Sequence, residues 1–163
     1  MEPIVLFGLQ FTMSLVAYLL IAFWYVAPRL SGLPREAALV PLLWVHAFRI
    51  VGGTILAPGS VEAGVPMDFR VMIGYGDLAT AFLALLALIA LRARFSSAIA
   101  LAWLCVTVGM LDTINAIIQS MRDNVFGYAL GLNWVIVTIY VPALLVSSLL
   151  IFMQLLSPKR PSH

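Results

Sequence analysis

Five apolar runs, each about 20 residues or longer, divide this chain of 163 residues and limit what it can fold into. A helix rises about 1.5 Å per residue, so about 20 residues cross the ~30 Å hydrocarbon core of a bilayer. Only 10% of the residues are charged, against about 25% in soluble globular proteins. The sequence therefore predicts an all-α integral membrane bundle, a single domain over residues 1–163. Its expected transmembrane helices cover residues 4–27, 37–57, 71–91, 98–121 and 132–156.

Proline and glycine set several of the expected helix boundaries. Pro28 is expected to end the first helix, and Pro142 to interrupt the fifth. The third helix begins near residue 71, or later if Gly74-Tyr75-Gly76 is unwound, in which case Asp77 is its N-cap. The first apolar run is longer than the roughly 7–15 residues of a signal-peptide core, so we expect it to be a retained helix.

Lysine and arginine are unequally divided between alternate loops, which predicts the orientation. One set of loops contains only Arg70 and Arg122. The other contains Arg29, Arg35, Arg92, Arg94, Lys159 and Arg160. Basic residues favour the cytoplasmic side, so the N-terminus and the longest loop are expected outside and the C-terminus in the cytoplasm. The formal net charge of +2 is too small to indicate binding to nucleic acid.

An imidazole and a guanidinium lie within the second apolar run, at His46 and Arg49. A charge in a bilayer is costly and needs a partner. Counting along the helices places Arg49 about 18 Å from the cytoplasmic boundary and Asp77 and Asp112 about 21 Å from it. The sequence therefore predicts that Arg49 contacts Asp77 or Asp112. Two carboxylates around one arginine are balanced only if one keeps a proton or His46 is charged.

Helical periodicity extends this cluster into the outer half of the bundle. His46, Arg49 and Gly53 share the spacing i, i+3, i+7, which places them on one helical face. The same spacing relates three polar residues of the fourth helix, and polar faces turn away from lipid. The residues expected at similar depth are Asp112, Asn115, Gln119, Asn133 and Gln10.

The leading hypothesis for function is binding of a small amphipathic or lipid-like molecule among these side chains. Arg49 would anchor an anionic group, while Asp77 and Asp112 would act as its counter-ions and as proton carriers. The expected ligand-binding residues are Arg49, Asp77, Asp112, Asn115, Gln119 and Asn133.

Two alternatives remain open from the sequence. One is an enzyme performing acid–base chemistry on a lipid-soluble substrate, with His46, Asp77 or Asp112 as the catalytic group. The other is a structural or accessory subunit whose polar cluster only fixes helix register. Homo-oligomer formation is compatible with each of these hypotheses.

No metal or cofactor is predicted. Cys105 is the only cysteine, which excludes an intramolecular disulfide, a Cys-x-x-Cys centre and a thiolate zinc site. A haem normally needs a second axial ligand besides His46, and His163 lies too near the end of the chain to supply it. The expected partners are the bilayer and a lipid-like or small amphipathic ligand.

Two short elements resemble those of the intramembrane aspartyl proteases. Gly74-Tyr75-Gly76-Asp77 resembles their GxGD element, and Pro142-Ala143-Leu144 resembles their PAL element. That family places its other catalytic aspartate before the GxGD, in a tyrosine–aspartate pair and a larger bundle. Here Asp112 follows the GxGD and is preceded by leucine, and Arg49 is expected where the carboxylates would need to share a proton.

Over most of its length the chain resembles a group of uncharacterised small bacterial multi-pass membrane proteins. The residues that carry the resemblance are His46-Ala47-Phe48-Arg49, Gly74-Tyr75-Gly76-Asp77, Leu111-Asp112 and Val141-Pro142-Ala143-Leu144-Leu145. This resemblance implies the bacterial cytoplasmic (inner) membrane and brings no activity with it. The polar cavity expected in a five-helix bundle is also similar in kind to that of sterol-isomerase-type (emopamil-binding) proteins, although no motif is shared.

Overall fold

The computed structural model describes residues 2–157, and these residues form helices and connecting loops without a strand. Five helices are long and apolar enough to cross a membrane, so the chain is a multi-pass integral membrane protein. They are α1 (Pro3–Ser31), α2 (Arg35–Leu56), α3 (Met67–Arg92), α4 (Ala98–Arg122) and α5 (Leu132–Leu156). The predicted all-α class and five helices are confirmed. Lys159, Arg160 and His163 lie outside the described residues.

Two of the predicted helix boundaries are wrong. α1 does not end at Pro28 but continues to Ser31, because a π-helical segment, Ala22–Val26, precedes the proline. The wider turn accommodates a residue that has no N–H and whose ring crowds the preceding turn. α3 begins at Met67, four residues before the predicted start at residue 71, and is continuous through Gly74-Tyr75-Gly76, so Asp77 is not its N-cap.

α2 and α5, which pack against each other, also change helix type along their length. α2 is α-helical over Arg35–Ala47 and then continues as a 3₁₀ helix over Phe48–Leu56. Such 3₁₀ runs seldom exceed about four residues. α5 contains a π-helical segment, Ile136–Tyr140, just before Pro142. Non-α segments inside long helices often mark functional sites.

The second helix occupies the middle of the bundle. It packs against α3, α4 and α5, whereas α1 lies at the edge, against α5 and the turn Val125–Gly127. Only 6% of the residues in the most apolar 18-residue stretch of α1 are buried by the rest of the protein. Most of that helix is therefore an apolar surface of the kind that faces lipid.

Two apolar clusters fill the bundle, one toward each end. We call the end with Pro3 and loops 57–66 and 123–131 the N-terminal end, and the opposite end the C-terminal end. The cluster at the C-terminal end includes Leu39, Leu43, Ala84, Ala102 and Ile151. The cluster at the N-terminal end consists of Phe7, Ile55, Val61, Val65, Phe69, Val125, Phe126 and Leu130. Arg49 of α2, Asp77 of α3 and Asp112 of α4 form a polar layer between these two clusters.

Candidate functional site

Arg49 lies at the centre of this polar layer and is 3% exposed. Its Nε donates to Oδ1 of Asp77, its Nη2 donates to Oδ2 of Asp112 at 2.5 Å, and its Nη1 donates to the carbonyl of Gly109 at 2.9 Å. Both ion pairs found in residues 2–157 are those of Arg49. The predicted contact of Arg49 with an aspartate is confirmed, and it is made with both. We call Arg49, Asp77 and Asp112 the charged triad.

Glycines give both carboxylates the space they occupy. A Cβ at Gly52 of α2 would overlap the Asp77 carboxylate, and a Cβ at Gly76 of α3 would overlap that of Asp112. Each aspartate therefore packs directly on the backbone of a neighbouring helix, an approach that only glycine allows here. The positions of these glycines, three residues after Arg49 and one before Asp77, were the signal available in the sequence.

A third glycine brings α4 close to the guanidinium. A Cβ at Gly109 would lie 3.1 Å from Nη1 of Arg49 and 2.7 Å from Cγ2 of Thr80. The Gly109 carbonyl accepts hydrogen bonds from Arg49 and from Thr113 Oγ1, the latter at 2.8 Å. The backbone of α4 is thus itself part of the site. This contribution of Gly109 was not predicted from the sequence.

The 3₁₀ geometry of α2 decides which residues share the face of Arg49. In a 3₁₀ helix, side chains three residues apart lie directly above one another. Arg49, Gly52 and Ile55 have this spacing, and all three are buried. The prediction that Gly53 shares this face is wrong, because it assumed α-helical geometry; Gly53 packs against Leu78.

A cavity of about 80 Å³ adjoins the charged triad. One water needs about 10–15 Å³ on this measure, so the space accommodates several waters or part of a small molecule. One wall contains the charged triad, Asn133 and Tyr140. The remaining wall is mainly apolar and includes Phe7, Ile55, Phe69, Val125, Phe126 and Leu130 of the N-terminal cluster, together with Ile73, Ile117, Val137 and Leu144.

Asn133 is a polar residue of α5 that lines the cavity. It is 5% exposed. Its Oδ1 accepts a hydrogen bond from Thr54 Oγ1 at 3.1 Å, and its Nδ2 donates to the Ser60 carbonyl at 3.2 Å. Asn133 therefore joins the beginning of α5 to the end of α2 and to the following loop, at the edge of the cavity.

Asn115 and Gln119 do not line the cavity. Their amide nitrogens lie 3.0 and 3.4 Å from the sulfur of Met72, which is a weak acceptor. The cavity side of α4 consists of Asp112, Thr113, Ala116, Ile117 and Ser120. Gln10 is also elsewhere, where it accepts a hydrogen bond from Trp134 Nε1 at 2.7 Å. The predicted polar cluster is thus only partly present.

His46 precedes Arg49 by three residues in α2 and is fully buried. Its Nε2 lies 3.1 Å from Ser147 Oγ and 3.4 Å from Ser148 Oγ, and its Nδ1 has no hydrogen-bond partner among residues 2–157. No group of three or more His, Cys, Asp and Glu residues in the described part of the chain is arranged to hold a metal ion. His46 contacts α5 and does not line the cavity.

The charged triad carries a formal charge of −1 when both carboxylates are ionised. The second oxygen of each carboxylate accepts no hydrogen bond from residues 2–157. At this depth an uncompensated charge is costly, so the triad favours a proton, a cation or a hydrogen-bond donor. Because each carboxylate is bonded to the guanidinium, the two carboxylates lack the direct contact with each other that sharing one proton requires.

Comparisons with other proteins give one match. No curated protein and no solved structure matches the chain. Residues 6–156 match DUF8737, which is described as a domain of unknown function. Because this match covers nearly all of the five helices, the chain belongs to the DUF8737 family.

Proposed function

We propose that the protein binds a small, mainly apolar molecule with one polar end. The observation that carries this proposal is the cavity, which has the charged triad on one wall and phenylalanine, leucine and isoleucine side chains on the others. Binding sites for small molecules combine a largely apolar lining with a few placed polar groups, and this cavity has that composition.

The polar end of the ligand is a cation or a hydrogen-bond donor in this proposal. Arg49 was expected to anchor an anion, but its guanidinium already donates to two carboxylates and one carbonyl. The acceptors without a hydrogen bond from residues 2–157 are Oδ2 of Asp77, beside Gly52, and Oδ1 of Asp112, beside Gly76. An amine, an amide or a hydroxyl would complete their hydrogen bonds, whereas an anion would meet like charge.

The orientation that goes with this proposal has the N-terminal end of the bundle outside a bacterial cytoplasmic membrane. Near that end the helices contain only Arg70 and Arg122, whereas Arg29, Arg35, Arg92 and Arg94 lie near the opposite end. The cavity then lies in the outer half of the bilayer, beneath the N-terminal cluster. Its ligand would enter from the outer leaflet or from outside the cell.

Native mass spectrometry of the full chain, purified in a mild detergent, tests the binding proposal. We expect the protein to carry a bound small molecule. Ala116→Phe fills the cavity from α4 and is expected to abolish that additional mass. Ala100→Phe makes the same change on the exposed surface of α4 and is expected to retain it. A wild-type protein without any additional mass, or equal retention by both variants, would overturn the proposal.

The same experiment separates binding from a purely structural role of the charged triad. If the triad only fixes helix register, its residues support the fold and the cavity holds nothing specific. An Asp77→Asn variant that stays folded and loses the bound molecule would favour binding. An enzymatic role would use Asp77 or Asp112, because His46 does not reach the cavity.

A further inference from the structure

A second concave surface lies at the C-terminal end of the bundle, between the beginning of α2 and the end of α3. This groove has a volume of about 500 Å³ and is lined by Glu36, Ala37, Val40, Trp44, Leu88, Leu91, Arg92 and Arg94. Both arginines are exposed. Neither guanidinium forms an ion pair or a hydrogen bond with any of residues 2–157. Apart from these two arginines and Glu36, the lining is apolar, so two positive groups are available to a ligand at one end of the groove.

Arg94 occupies a backbone position at which glycine is usual. It follows the C-cap of α3 with φ of 57°, in the left-handed region. The Phe95 N–H donates to the Ala90 carbonyl at 2.9 Å and the Arg94 N–H donates to the Leu91 carbonyl at 3.2 Å, which is the Schellman pattern. An arginine here is less favourable for the backbone than glycine, so its side chain is retained at some cost to stability.

The groove changes from polar to apolar along its length. Arg92 and Arg94 lie at the end of α3, and Leu88 is one turn deeper in the bundle. On the facing helix, Trp44 lies eight residues beyond Glu36, which is about 12 Å farther along α2. Trp44 is 47% exposed. A charged end followed by an apolar trough matches a phospholipid lying along the helices, with its headgroup at the membrane surface.

We propose that this groove binds an anionic phospholipid. The two arginines and the single carboxylate of Glu36 leave one positive charge, which complements a lipid with net charge −1. The phosphodiester would lie against Arg92 and Arg94, and an acyl chain would lie along Trp44 and Leu88. Guanidinium groups suit this role because their paired N–H donors match phosphate oxygens. The site is separate from the cavity and does not depend on the function proposed for it.

Native mass spectrometry with added lipid tests this site on the full chain. Phosphatidylglycerol is the anionic probe and phosphatidylcholine is the control lipid of similar size. We expect retained phosphatidylglycerol and little retained phosphatidylcholine. Because a basic residue near an anionic headgroup contributes about fivefold to affinity, Arg92→Gln with Arg94→Gln should weaken phosphatidylglycerol binding by about thirtyfold. Equal retention of the two lipids by the wild-type protein would overturn the proposal.

Three further variants separate the site from charge in general and from loss of fold. Arg29→Gln removes an exposed arginine at the same end of the bundle and should leave binding unchanged. Arg94→Gly should raise the thermal unfolding temperature while weakening phosphatidylglycerol binding about fivefold. Glu36→Gln should strengthen binding of phosphatidylglycerol. A loss of lipid in Arg29→Gln equal to that in the double variant, or weaker binding in Glu36→Gln, would overturn the proposal.

Discussion

Replacing Gly76 with alanine tests whether the fit of the charged triad stabilises the fold. The new Cβ would lie 2.7 Å from Cγ of Asp112 and overlap one of its oxygens. Cβ atoms in real structures essentially never come within 3.0 Å of another group. Asp112 belongs to the neighbouring helix and is bonded to Arg49. Its carboxylate must therefore move, or α3 and α4 must separate, and either change breaks the bond to the guanidinium.

The expected cost follows from two opposing terms. Alanine is better than glycine inside a helix by about 0.5–1 kcal/mol, which favours the variant. A hydrogen bond to a charged group contributes about 1.5–3 kcal/mol, and leaving a buried charge without its partner costs about 3–5 kcal/mol. Asp112 retains some access to the cavity, so the cost of leaving its charge without a partner is near the lower limit of its range, about 3 kcal/mol. We expect Gly76→Ala to lower the free energy of unfolding by about 2 kcal/mol.

Unfolding by sodium dodecyl sulfate in mixed micelles, followed by circular dichroism, measures this difference. Gly8→Ala is the matched control, because Gly8 lies in α1 and a Cβ there would meet nothing within 4 Å. That variant should be more stable than the wild-type protein by about 0.5–1 kcal/mol. If Gly76→Ala is stabilised as Gly8→Ala is, the close packing of Asp112 on α3 does not constrain the fold and the reasoning is refuted.

Two further substitutions test the polar layer by the same unfolding measurement. Arg49→Met should lower the free energy of unfolding by about 3–5 kcal/mol because it leaves two carboxylates without their cation. Adding Asp77→Asn and Asp112→Asn should recover most of that loss. A triple variant as unstable as Arg49→Met would contradict this charge argument. Tyr140→Phe should lower the free energy of unfolding by about 1 kcal/mol, because the Tyr140 hydroxyl donates to the Val45 carbonyl. If the stability does not change measurably, this bond does not stabilise the bundle.

The number of helices and the depth of each polar group can be predicted from the sequence, because each depends on one simple quantity. The length and apolar character of each run fix the number of helices, and the rise per residue fixes the depth of each polar group. Depth alone placed Arg49 level with Asp77 and Asp112, and the structure shows both contacts. The rise of a helix varies little, so depths estimated in this way tolerate local irregularities.

Angular position is less robust, and the errors in the predicted site arise there. An α-helix turns about 100° per residue and a 3₁₀ helix about 120°. Over the four residues from Arg49 to Gly53 the difference reaches about 80°, which is enough to move Gly53 off the site and to place Gly52 in it. Nothing in the sequence around Phe48 signals the change of helix type, and the side chains that bond to both ends of the 3₁₀ segment come from outside α2.

Side-chain hydrogen bonds are made to carbonyls at the two ends of the 3₁₀ segment. Where bonding changes from i−4 to i−3, one carbonyl loses its amide donor. At the start of the segment, Tyr140 of α5 donates to the Val45 carbonyl. At its end, the Ile55 carbonyl accepts from Arg70 Nε and from Ser60 Oγ, both at 3.1 Å.

These side chains come from α5, from α3 and from the loop after α2, so tertiary structure satisfies what the local helix leaves unpaired. The same change of helix type aligns Arg49, Gly52 and Ile55 on the cavity wall. Tyr140 itself lies in the π-helical segment of α5 and lines the same cavity. Two departures from α-helical geometry, the 3₁₀ segment of α2 and the π-helical segment of α5, therefore meet at the cavity wall.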